Sequence, residues 1–141
     1  MAKLIRWFEI PVKDFKRAVK FYSKVFRVDF IFEEFRGVPH AIFKNTSDNH
    51  FEISGALVEV KEIPENSVGS VLFFNSDSGM DDILLRVEQN GGIVLLKKTL
   101  IKNSTEDGRV YIAKTLIDNN TGYFAYFKDS EGNKMGLYSN S

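Results

Sequence analysis

Near the start of the chain an indole and a carboxylate, Trp7 and Glu9, stand two residues apart. Leu4–Val12 alternates large residues on both sides, the pattern of a strand, so Trp7 and Glu9 share one face. A tryptophan can stack a planar ligand. A glutamate beside it can act as a catalytic base or hold a ligand cation, if loss of water raises its pKa. The competing reading is that Trp7 only fills space and Glu9 pairs locally. Both stay open at this point. Further along, Tyr126 and Tyr138 lie on strands whose alternation also places Phe124 and Lys134. Their hydroxyls could orient a polar ligand; packing in a core or at a subunit interface is the alternative. Other chemistries lack their residues. A serine nucleophile needs a paired base, and no Ser/His/acid arrangement is present. Gly91-Gly92 reads as a helix stop, because no phosphate-loop glycine pattern surrounds it. His40 and His50 read as exposed polar residues of a hairpin and loop. Glu33-Glu34 and Lys97-Lys98 read as solvent-facing.

Composition narrows the classes further. The chain has 141 residues, 43% hydrophobic and 27% charged, with 19 Lys+Arg against 19 Asp+Glu. That length suits one domain, long enough to bury roughly two-thirds of the surface its unfolded chain exposes. A formal net charge of zero removes the basic footprint of a general nucleic-acid binder. With no cysteine, disulfides, thiolate metal sites and a cysteine nucleophile are all excluded. With 2 His, an all-histidine metal triad is impossible within one chain. The apolar runs are too short for a membrane span, and no signal-peptide block opens the chain. A soluble, cytoplasmic domain is the expectation, so the sequons at Asn45, Asn103 and Asn119 are chance matches. The 13 Phe are the outlying count and require a place.

The elements that would position these residues follow one programme twice. After the first strand, Asp14 is placed to cap a helix, and Phe15, Ala18, Val19, Tyr22, Val25 and Phe26 form its apolar stripe. Strands are expected at Val28–Phe35 and Val38–Lys44 around Arg36-Gly37. The polar stretch Asn45–His50 leads to a strand at Phe51–Val60, and Lys61–Ser67, with Pro64, reads as a linker. In the second half, Val68–Phe74 reads as a strand and Ser76-Asp77-Ser78 as a cap. Met80, Ile83, Leu84 and Val87 form a helical stripe ending at Gly91-Gly92. A strand at Ile93–Ile101, a polar segment Lys102–Gly108 and a strand or irregular strand at Val110–Ile117 follow. Gly122–Phe127 and Lys134–Tyr138 close the chain around the turn Asp129–Asn133. Repeated modules of this kind bury one sheet face under a helix. The other face is left to line an aromatic small-molecule cavity.

Three stretches resemble the vicinal oxygen chelate superfamily, the glyoxalase, bleomycin-resistance and dioxygenase group. WFEIPVKDFKRAVKFYSKVF (Trp7–Phe26) resembles its first strand and helix. MDDILLRVEQNGGIVLLKKTLI (Met80–Ile101) resembles its second helix with the Gly-Gly exit. GYFAYFKDSEGNKMGLYSNS (Gly122–Ser141) resembles its closing hairpin and is the most specific of the three. The implied fold is α+β, two βαβββ modules forming a cupped mixed sheet in a single domain, with module one at about 1–62 and module two at about 67–141.

The resemblance also implies four metal-ligand positions, on the first and last strands of each module. In this chain they read Trp7, Gly55, a place near Ser70, and Gly136. Divalent metals need several oxygen or imidazole donors, which indole and glycine do not supply. The expectation is therefore a metal-free homodimer without cofactor, binding a small, planar or cationic organic molecule. Glu9 is the candidate base, and Trp7, Ser70, Tyr126 and Tyr138 are the candidate ligand contacts. The alternative is a glyoxalase-like lyase or isomerase that uses Glu9 as base or an unrecognised divalent metal site. No nucleic-acid or membrane partner is expected. Relatives commonly carry glycine where this chain has Arg27; a positive φ there would cost a non-glycine about 1 kcal/mol.

Overall fold

Asp14 caps the first helix as its position predicts, its Oδ1 accepting from the Arg17 backbone N–H at 3.0 Å. The computed structural model describes residues 5, 7–35, 37–44, 54–61, 70–115 and 117–141. Its elements run β1 (Trp7–Val12), α1 (Phe15–Phe26), β2 (Phe30–Phe35), β3 (Val38–Phe43), β4 (Ser54–Glu59), β5 (Phe73–Asn75), α2 (Met80–Gln89), β6 (Ile93–Leu100), β7 (Lys102–Ser104), β8 (Val110–Ile112), β9 (Tyr123–Lys128) and β10 (Lys134–Ser139). They form two compact units, Met1–Val68 and Gly69–Ser141. Among the described residues each unit holds a four-stranded mixed sheet and one helix, an α+β fold. Among the described residues no helix is long and apolar enough to cross a membrane.

The first sheet has the order β1-β4-β3-β2, with β1 and β4 parallel and the other pairs antiparallel. Helix α1 buries Ala18, Phe21, Tyr22 and Val25. Beneath it lie Ile10, Val12, Ala41 and Leu57, all at most 1% exposed. Phe43 joins this side, its ring meeting Tyr22, Phe8 and Phe30. Part of the phenylalanine count is therefore ordinary core. The expected stripe omitted Phe21, which α1 nevertheless buries. Arg27 ends the helix at φ 55°, ψ 45°, so the expected left-handed exit is present without its glycine. The stretch Asn45–His50, the expected strand start at Phe51 and the linker around Pro64 lie outside the described residues.

The second sheet repeats the arrangement as β5-β10-β9-β6, with β5 and β10 parallel. Helix α2 buries Met80, Ile83, Leu84 and Val87 against Ala125, Phe127, Met135 and Leu137. Its expected Ser76-Asp77-Ser78 cap is not formed. Gly79 occupies the cap position without a side-chain hydrogen bond, and the Ser76 hydroxyl donates instead to the Tyr138 carbonyl at 2.9 Å. The Gly-Gly stop is formed: Gly91 has φ +89° and the Gly92 N–H returns to the Val87 carbonyl. The segment read as polar, Lys102–Gly108, contains β7, which pairs with β8 as a separate two-stranded hairpin. Of the two readings of Val110–Ile117, the strand with an irregular end fits: β8 runs to Ile112, Lys114 forms an isolated bridge with Thr121, and Thr115 closes a turn with Asn119 and Asn120.

Candidate functional site

Alternation along β1 turns Phe8, Ile10 and Val12 toward α1 and leaves Trp7, Glu9 and Pro11 on the opposite, open face. Register extends that face across the sheet. Glu9 lies beside Ala56, Ala56 beside Ile42, and Val58 beside His40. With only a methyl group on Ala56, nothing bulky stands between Glu9 and the third strand. The Glu9 side chain, 52% exposed, reaches over β4 until Oε2 stands 3.9 Å from His40 Nε2. The Trp7 indole N–H donates to the same oxygen at 3.2 Å. On its other side His40 Nδ1 is 2.9 Å from the Val38 carbonyl, which can only accept, so Nδ1 carries a proton. Phe35 meets the imidazole edge-on at 6.2 Å. Oε1 of Glu9 has no partner among the described residues.

This geometry corrects the reading of His40. It is not an exposed loop residue; it sits within β3 with its side chain only 14% exposed, facing Glu9. The signal was the alternation of Val38-Pro39-His40-Ala41-Ile42-Phe43, which puts His40 and Ala41 on opposite faces, but the first-strand pairing needed to bring Glu9 to it is a long-range fact. His50 lies outside the described residues.

In the second unit, Tyr126 stands on the face of β9 turned away from α2. Its ring meets Phe73 at 5.7 Å and Phe124 at 5.5 Å, and Lys134 Nζ sits 4.2 Å above it. The Tyr126 hydroxyl has no hydrogen bond among the described residues. Tyr138 shares this face, through its pairing with Phe124, but its hydroxyl is engaged. It contacts Thr115 Oγ1 at 2.8 Å, donates to Asp118 Oδ1 at 2.9 Å and lies 3.3 Å from Asn140 Nδ2. The Asn140 amide, above all, holds the Asp118 carboxyl below the usual aspartate value; Tyr138, the Asn120 N–H and Thr115 add to it against the opposing effect of burial. Ser70 is exposed and precedes β5, which begins at Phe73; Val68, the expected strand start, lies outside the described residues. Pairing opens where the Gly136 N–H donates to the Leu72 carbonyl.

The four positions implied for a metal do not supply its donors. Gly55 pairs with Phe8, and a side chain there would overlap the Phe8 ring on the helix side, away from Trp7. Gly136 does face the open side, but the Phe73 ring covers it. Trp7 offers an N–H donor, and Ser70 lies outside the strands. Among the described residues no three His, Cys, Asp or Glu side chains are grouped to hold a metal ion.

A family model of the Glyoxalase/Bleomycin resistance protein/Dioxygenase superfamily matches residues 4–137. No curated protein sequence matches the chain. Solved structures share its fold at low identity. A glyoxalase I variant from Zea mays superposes with TM-score 0.65 at 17% identity, covering 96% of this chain and 45% of the maize chain. This chain thus spans about half the length of that relative. The fosfomycin resistance protein FosX from Listeria monocytogenes, complexed with Mn(II) and sulfate, superposes with TM-score 0.61 at 13% identity, covering 100% of this chain and 94% of the other. A glyoxalase-related enzyme from Fulvimarina pelagi gives TM-score 0.60 at 14% identity, covering 97% and 88%.

Proposed function

We propose a function from one premise: this chain belongs to the Glyoxalase/Bleomycin resistance protein/Dioxygenase superfamily. The function is metal-independent binding of a small, planar, cationic organic molecule on the open face of the first sheet. The observation that carries it is the Trp7 indole, 44% exposed, hydrogen-bonded at 3.2 Å to a Glu9 carboxylate whose second oxygen has no partner among the described residues. An exposed π-face beside an anionic acceptor attracts a flat cation through stacking, cation–π attraction and charge. The donor set at the four implied metal positions supports the metal-independent form.

The test uses chelator-treated protein and the chain's only tryptophan as reporter. Ethidium is expected to quench Trp7 saturably, and Glu9→Gln to weaken that binding at least tenfold. Stoichiometric Zn, Ni, Fe or Mn in the purified protein, required for binding, would overturn the reading, as would equal binding by Glu9→Gln.

A second reading, a glyoxalase-like lyase or isomerase, is favoured by the same carboxylate. Glu9 Oε1 is positioned to accept a proton from a bound carbon or nitrogen acid while Trp7 holds Oε2. An activity found in the wild type and intact in Glu9→Gln removes that reading. The homodimer belongs to this proposal, supported by exposed Val110, Tyr111, Ile112 and Ile117 on and beside β8 (65%, 48%, 58% and 66% exposed). A single monomeric species in sedimentation at working concentration refutes it.

A further inference from the structure

Glu9 Oε2 and His40 Nε2 face one another at 3.9 Å, too far apart for a direct hydrogen bond. Because the Val38 carbonyl keeps the proton on Nδ1, a neutral His40 presents a lone pair at Nε2. Two acceptors then look into one gap. A nitrogen placed about 2.9 Å from both subtends an angle of roughly 85°, so two N–H bonds of an ammonium or amidinium reach them with modest bending. Exposed aromatic rings bracket the gap, Trp7 on the Glu9 side and Phe35 on the His40 side.

Resting on the reading above, we propose that His40 is the specificity-determining second arm of this site. The His40–Glu9 pair takes an aromatic amidinium or ammonium through two N–H donors, and protonation of His40 expels it. A cation that lacks N–H donors cannot use the imidazole arm. Protonated His40 replaces the lone pair with a donor and places its own positive charge against Glu9, so it competes for the ligand's position. The other groups facing His40 are Glu33 on β2, its register partner, and Val58 on β4; on β3 itself Val38 and Ile42 carry no charge. Glu33 has the same sign as Glu9 and favours the cation.

The experiment follows Trp7 fluorescence with benzamidine, a planar amidinium that stays charged throughout, between pH 5.5 and 8.0, with neutral benzamide as the control. About tenfold weaker benzamidine binding is expected at pH 5.5 than at 8.0. In His40→Gln that ratio is expected to fall below twofold, and His40→Asn, checked for folding by circular dichroism, provides a second variant. A tenfold ratio that survives both substitutions, or no pH dependence in the wild type, overturns the role of His40 alone. Benzamidine binding no better than benzamide at every pH overturns the cation-binding function, and this inference with it.

Discussion

The Phe73 ring lies across Gly136, in the space where a side chain on that glycine would begin. The two are register partners on the parallel strands β5 and β10, on the face that also carries Tyr126. The ring fills what the missing side chain leaves. This is also why a metal-binding carboxylate is incompatible with this position unless the aromatic moves.

A methyl group at 136 must therefore push the Phe73 ring or the strand aside. Gly136→Ala is expected to cost about 1–3 kcal/mol, the usual range for overpacking. Phe73→Ala relieves the overlap, so the double variant should be less destabilised than the two single effects added together. Urea unfolding of the four proteins measures the coupling. Strict additivity would mean that the ring does not hold the glycine's place.

Asp14 presents a simpler local case. Its Oδ1 satisfies the Arg17 N–H at the start of α1, at 3.0 Å and largely exposed to water. Asp14→Ala is expected to destabilise the protein by about 1 kcal/mol, with Asp14→Asn close to wild type. The 4.0 Å contact between the Arg17 guanidinium and Asp14 Oδ2 is exposed on both sides and adds little. Equal losses for Ala and Asn would show that charge, rather than the cap, matters here.

What could be read in advance divides along the same line between local and long-range physics. Asp14, the α1 stripe and the Gly91-Gly92 exit are signals within one or two helical turns, and the structure forms all three. The Ser76-Asp77-Ser78 cap was misread because the Ser76 hydroxyl finds the Tyr138 carbonyl, 62 residues away, a partner no local pattern exposes. Gly55 faces the helix side because it pairs with Phe8, and a one-residue difference in register reverses a side chain. Trp7 and Glu9 share their face as alternation predicts. His40 joins them only because Ala56 on the intervening strand is small enough for Glu9 to pass.

Arg27 tests whether a retained strain is measurable. It adopts φ 55° at the end of α1, a conformation that disfavours any residue with a Cβ. Arg27→Gly is expected to stabilise by up to about 1 kcal/mol, reduced in part by the greater freedom of glycine in the unfolded chain. Calorimetry should show a rise in Tm of roughly 2–4 °C. Arg27→Ala keeps the strain and should show no such rise; an equal gain from alanine would place the effect in the arginine side chain.

Asp118 links the second unit's stability to pH. Its carboxylate accepts from the Asn140 amide at 2.7 Å, the Tyr138 hydroxyl at 2.9 Å, and the Thr115 hydroxyl and Asn120 N–H at 3.0 Å each. These bonds favour the charged form, with Asn140 the largest cause, so the folded-state pKa lies below that of the unfolded chain. The unfolded chain then binds the proton more readily than the folded one. The stabilisation is complete above the ordinary aspartate range and is lost as pH falls through the folded value. Asp118→Asn should accordingly lower the urea midpoint at pH 7 and change it much less at pH 3. Asn140→Ala should move the Asp118 carboxyl titration upward, read from its side-chain carbon chemical shift, and Tyr138→Phe should move it upward by less. If Asp118→Asn shifts the midpoint equally at both pH values, the carboxylate's charge is not what these four donors hold.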